Sequence, residues 1–214
     1  MKKIILQVLL WVVIAALAYV CVMSIRRPIT FNKIKKQRYA NVIQRLKDVR
    51  TAQVAYKAAH NTYTGSFDTL INFVKNDSIK FVKKIGSLTD QQLEAGMTER
   101  EAVRKGIIIR DTMKVCALDT LFGKNYKIEN LRYVPYTKKQ AQFKLAKGEI
   151  KSASGLKIQV FEASVRNFVI FKDILEEYEN ELKEYNGERK RLGKFLGLKV
   201  GSIEEANNNT GNWE

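Results

Sequence analysis

Residues 4–23, "IILQVLLWVVIAALAYVCVM", run without a charge and with one polar interruption, at Gln7. A helix of that length crosses roughly 30 Å of hydrocarbon, so the pattern predicts a membrane span. Farther along, the apolar positions thin to one face. Phe31, Ile34, Tyr39, Val42, Leu46, Val49 and Tyr56 recur at helical intervals, Gln53 fills the next position of the same seam, and an amphipathic helix is expected over 31–59. Pro28 stands between the two stretches, where it either kinks one helix or opens a second, having no amide hydrogen to donate. The seam wants a partner, and both the chain's own core and another subunit would serve.

Beyond residue 60 the pattern shortens. Gly65 is expected to give the reversal, and "SFDTLINFVKN" reads as a short amphipathic helix capped by Ser66. "TEREAVRKG" reads as another, opened by a Thr98–Glu101 capping box and closed by Gly106. Strands are expected at 79–85, 107–118, 131–137, 141–150 and 156–165, the last two joined by the hairpin connection "KSASG", together an antiparallel meander. Residues 170–188 place Ile170, Ile174, Leu175, Tyr178 and Leu182 at helical intervals among many carboxylates, read as the solvated face of a helix. The polar tail ends in Trp213, which suggests an anchored terminus. The fold class is therefore α+β: an N-terminal transmembrane helix continuing into a long amphipathic helix, packed on a small antiparallel β-sheet with short extra helices. The division expected is an anchor at 1–25, a basic amphipathic stalk at 26–60 and a globular head at 61–214.

Charge changes the picture in one place. The 214 residues carry a formal +16, and Arg26, Arg27, Lys33, Lys35, Lys36 and Arg38 gather directly after the span. Such a cluster suits anionic lipid head groups, each cation contributing on the order of 1 kcal/mol. A blander reading makes them the solvated side of a helix. No helix-turn-helix, zinc-finger or RNA-binding signature accompanies the charge, which disfavours nucleic acid as a partner. Basic residues after the span favour retention of the head in the cytoplasm, whereas a short basic tail before a span is the look of a signal anchor that exports the rest of its chain. Composition leaves that choice open. Ala16-Leu17-Ala18 resembles a leader cleavage site, yet the apolar run continues through Val22 and Met23, which favours an uncleaved anchor.

Candidate chemistry is sparse. Cys21 lies in the span and Cys116 in an expected strand, where a buried thiol would act as a small hydrophobe, and no cysteine or histidine cluster has metal-ligand spacing. No nucleophile constellation, Walker motif or dinucleotide fingerprint occurs. The reading is a non-enzyme with no catalytic residue, cofactor, metal or small-molecule substrate assigned. His60, the single histidine, sits near Asn61, Tyr63 and Asp68, and is read as a helix-end residue rather than a catalyst.

The order of parts resembles the type IV pilin and type II secretion pseudopilin superfamily, in a divergent form. An apolar N-terminal helix, a proline, an amphipathic continuation and a small sheet follow one another. Locally "LKDVRTAQVAYKAAHNTYTGSFDTLINFV", residues 46–74, looks like the pseudopilin stretch in which the helix end is followed by a Tyr-containing turn and a second short helix. "MKKIILQVLLWV" lacks the glycine of a prepilin peptidase site, and the apolar run lacks the family's glutamate. The resemblance implies that Tyr56 and Tyr63 pack at the junction. It also implies a single-pass protein of a bacterial inner membrane with its C-terminal part in the periplasm. Its partners would be the lipid bilayer and other envelope or secretion-system proteins, met as a scaffold or minor subunit. Tyr39, Val42, Leu46, Val49 and Tyr56 would then form a helix-seam interface, and Arg26, Arg27, Lys33, Lys35, Lys36 and Arg38 the anionic-lipid contact. The alternative is a membrane-tethered cytoplasmic module that binds anionic lipid or nucleic acid through the same basic cluster.

Overall fold

The computed structural model describes residues 2–151 and 155–214. Helix α1 (Lys2–His60) runs through Pro28 as one element and is followed by α2 (Phe67–Asn76) and strand β1 (Ser78–Ile85). Two short helices, α3 (Asp90–Glu94) and α4 (Glu99–Arg104), precede β2 (Ile109–Cys116) and α5 (Ala117–Leu121). A 3-10 turn (Ile128–Arg132) leads to β3 (Lys144–Lys151), β4 (Lys157–Arg166) and α6 (Asn167–Ile170). A second 3-10 turn (Lys172–Ile174), helix α7 (Glu179–Arg191) and strand β5 (Gly197–Gly201) complete the order. The chain is α+β, with a long N-terminal apolar helix and small antiparallel sheets. It divides into two compact units, one made of Met1–Lys47 with Arg132–Glu214, the other of Asp48–Leu131. Residues 61–214 are shared between them.

In the first unit the sheet order is β3-β4-β5, antiparallel throughout. In the central strand β4, Phe161 and Ala163 are fully buried, and Val160 and Val165 nearly so. Glycine frames β5 because the backbones come too close for anything larger. A Cβ on Gly197 would lie 2.0 Å from the Val165 carbonyl oxygen, and one on Gly201 would lie 2.2 Å from that of Phe161. The tail then pairs with β5 through the Gly201 N–H to Thr210, the Asn212 N–H to Lys199 and a bridge between Val200 and Gly211.

The second unit holds a separate two-stranded ribbon, β1 with β2, in continuous register from Ser78↔Cys116 to Ile85↔Ile109. Helix α2 is capped by the Ser66 side chain, and Phe67, Leu70, Ile71, Phe73 and Val74 bury one face of it. The Thr98–Glu101 box at α4 forms in both directions, at 3.4 and 3.1 Å.

Four expectations are corrected. The strands do not form one meander, since β1–β2 and β3–β4–β5 are separate sheets. Residues 131–137 are not a strand: Pro135 removes a ladder donor, Tyr136, Lys138 and Lys139 take positive φ, and only Tyr133 bridges to Gln142. The helix expected over 170–188 is broken between α6 and α7, which lets Ile170, Phe171 and Tyr178 all enter the core. Cys116 ends β2 as an exposed free thiol rather than a buried one. The expected "KSASG" connection lies outside the described residues at 152–154.

Candidate functional site

Helix α1 contains two kinds of surface. From residue 7 onward it includes a window of mean hydropathy 2.7, none of it buried within the chain. Leu9, Trp11 and Val13 are 59, 71 and 47% exposed. Later turns of the same helix carry a second face, one turn apart each time: Phe31, Arg38, Val42, Leu46 and Val49 are buried on it, Lys35 is half-buried between them, and Arg27, one turn before Phe31, is still exposed. Val42, Leu46 and Val49 have no exposed surface. Of the two partners open to the seam, the chain's own core fills it at those positions, while Tyr39 and Tyr56 are half-buried.

That face also captures half of the basic cluster. Arg38, 8% exposed, donates to both carboxylate oxygens of Asp173, at 2.5 and 2.8 Å, and to the Ile170 carbonyl at 2.9 Å. This hydrogen-bonded guanidinium holds the Asp173 carboxyl below its usual value. Arg27 pairs with Glu181 at 3.1 Å and also donates to the Glu177 carbonyl. The Lys35 ammonium lies 4.0 Å from the Tyr185 ring centre. Arg26, Lys33 and Lys36 face solvent. The six cations thus split into three that hold the acidic segment 173–181 and its neighbour Tyr185, and three that remain presented.

Beside this lock the Tyr39 hydroxyl donates to Asn167 Oδ1 at 2.5 Å, and the Asn167 amide donates to Asn186 at 2.7 Å. Burial, reinforced by Tyr185, pushes the Tyr39 hydroxyl well above its ordinary value, so it stays a proton donor. Phe31 packs on Phe171 and Tyr178 at 5.5 and 5.8 Å between ring centres. Most carboxylates of the acidic run face solvent as expected, and two of the run, Asp173 and Glu181, are the partners of Arg38 and Arg27. The signal for this was present as two stretches of opposite sign, but the spacing within each stretch does not say which charges meet.

In the second unit the corner after α1 is built on the polar residue of the seam. Gln53, fully buried, donates to the Thr64 carbonyl at 2.7 Å and accepts from the Thr64 N–H at 3.2 Å. One amide side chain satisfies both backbone groups of a buried turn residue. Asn61 rather than Gly65 is the left-handed residue there, with φ 57° and its N–H bonded to Lys57 at 2.8 Å. Tyr63 is buried, and Tyr56 stands edge-on to Phe73 at 5.1 Å. The exposed His60 ring lies 4.4 Å from Tyr56 and 3.9 Å from an Asp77 oxygen.

Among the described residues, no group of three or more His, Cys, Asp or Glu side chains is placed to hold a metal ion. No protein-family model, curated protein or solved structure matches the chain.

Proposed function

We propose that this chain is a non-catalytic, membrane-anchored envelope protein of pilin-like organisation, serving as a scaffold or minor subunit of a secretion or envelope assembly. The apolar start of α1 is the anchor, an uncleaved single span. Its continuation carries two folded units that meet partners on the periplasmic side of a bacterial inner membrane. The observation that carries this reading is the change of surface along one helix: apolar side chains around Leu9, Trp11 and Val13 are exposed, whereas Val42 and Leu46 are enclosed. A solvated helix would not keep so many large apolar groups in water, and a bilayer removes that cost. Because the seam is enclosed, partners meet the outer surfaces of the folded units rather than Val42, Leu46 and Val49.

A second reading, a cytoplasmic module resting on anionic lipid, is favoured by Arg26, Lys33 and Lys36, which stay exposed next to the apolar stretch. A C-terminal alkaline phosphatase fusion separates the two. Phosphatase activity together with resistance of the chain to alkaline extraction is the expected result. An inactive, stably expressed fusion removes the periplasmic assignment.

A further inference from the structure

The three-stranded sheet has two edges of different character. The β5 edge is taken by the chain's own tail, through Thr210, Gly211 and Asn212. Strand β3 pairs with β4 alone, and among the described residues no strand lies on its other side. An edge of this kind presents a row of backbone donors and acceptors that a further extended chain can complete. A groove of about 440 Å³ lies over the sheet, running from Lys144 and Ala146 of β3 across Glu162 and Arg166 of β4 to Phe168, Phe195 and Ile203. Phe168 and Ile203 leave 52 and 42% of their surface exposed there.

Charge selects the occupant. Lys144, Lys147 and Lys151 along β3 are exposed, as is Arg166, which lines the groove, while the one carboxylate of the strand, Glu149, is exposed too but paired with Lys157 at 3.2 Å and accepts from the Gln159 amide at 2.8 Å. The Glu162 carboxylate in the groove is held by Lys199 at 3.3 Å. The three lysines outnumber the single, already paired glutamate, so two copies of β3 placed edge to edge would bring a net positive charge on each side together, which disfavours self-pairing and favours a strand of negative charge. We propose that the open β3 edge and its groove bind an extended acidic segment of a partner protein, backbone paired to backbone, with one apolar side chain seated against Phe168 and Ile203. The inference rests on the reading of the folded units as surfaces for partners, but it concerns binding alone and does not depend on which side of a membrane the units occupy.

The test uses the full chain in nanodiscs of neutral lipid and a short fluorescein-labelled peptide of alternating Glu and Val with a central Phe, followed by anisotropy. Saturable binding is expected, weakened at least about tenfold by Phe168→Asp. Lys144→Glu combined with Arg166→Glu is expected to weaken it similarly and to shift preference to the peptide with Lys in place of Glu. N-methylation of alternate peptide amides is expected to abolish it. Phe168, Lys144 and Arg166 are all exposed, so the unfolding midpoint should not move in these variants. Absence of saturable binding overturns the proposal. So does binding that survives N-methylation, which would be charge attraction alone. Self-association of the free chain that Phe168→Asp removes would assign the edge to a second copy and overturn it as well. A failed phosphatase test with retained peptide binding would discard the periplasmic assignment and leave this site standing.

Discussion

The first and the last turns of α1 share one backbone geometry and differ in what surrounds their side chains. Around Leu9, Trp11 and Val13 the helix is apolar on every side and exposed, while around Val42, Leu46 and Val49 it is apolar on one side and enclosed. An all-round apolar helix calls for a continuous apolar solvent, whereas a one-sided helix calls for a folded neighbour. The contrast teaches that hydrophobicity along this chain has two uses, and that Phe31 marks where the second begins.

The strongest way to break the contrast is inside the enclosed half. Leu46→Ala should lower unfolding stability by about 2–5 kcal/mol, measured by denaturant titration of the full chain in detergent, because no exposed surface remains there to soften the cavity. An effect below about 1 kcal/mol would mean that this face is not core. In the other half, Val13→Asp should leave that unfolding transition in place while making membrane insertion less favourable by about 3 kcal/mol, seen as a larger fraction released by alkaline extraction. Loss of folding with retained insertion would reverse the assignment of the two halves.

Smaller effects sharpen the boundary between apolar and polar work on the enclosed face. Gln53→Leu keeps the volume but leaves the Thr64 N–H and carbonyl without partners, and should cost about 1–3 kcal/mol despite the gain in hydrophobicity. A stabilised Gln53→Leu chain would show that the seam wants only apolar filling. The Arg38–Asp173 pair should contribute less, about 1 kcal/mol or under, since the Asp173 side chain is 50% exposed. Its sign is set by the lowered Asp173 value. The contribution is fully present above the ordinary carboxyl value of 3.8 and is lost as pH falls through the lower folded-state value. Asp173→Asn should therefore flatten the acid limb of the stability profile and leave its alkaline limb unchanged, as followed by thermal unfolding across acidic and neutral pH. The smallest effect is expected at the exposed His60, where replacement by Ala should shift stability within about 0.5 kcal/mol.

Periodicity along the chain was enough to locate α1, the capped starts of α2 and α4 and strands β1 to β4, because each of these depends on local pattern and local hydrogen bonds. The features that stayed hidden depend on contacts distant in sequence. The pairing of Arg38 with Asp173 and of Arg27 with Glu181 is not encoded in the spacing of either charged run. Strand β5 was missed because "GLKVG" looks like a loop until the Val165 and Phe161 carbonyls occupy the space beside its two glycines. Gln53 was legible as a seam position but not as the residue that closes the corner, since its partner, Thr64, lies past the helix end. The open β3 edge likewise carries no mark in the sequence beyond its lysines, because a strand does not reveal how many neighbours it has.

The discontinuity of the first unit also sets an order of events during synthesis. Lys47 and Arg132 both belong to that unit but are separated along the chain by the whole of the second. At roughly 5–20 residues per second, a ribosome needs several seconds between making the two. At the end of that interval Asp48–Leu131 has all of its own residues, while Phe31, Val42 and Leu46 still await Phe171 and the sheet strands of their unit. The inserted unit is thus the one whose residues are complete first, and the face beginning at Phe31 closes only when the C-terminal segment arrives.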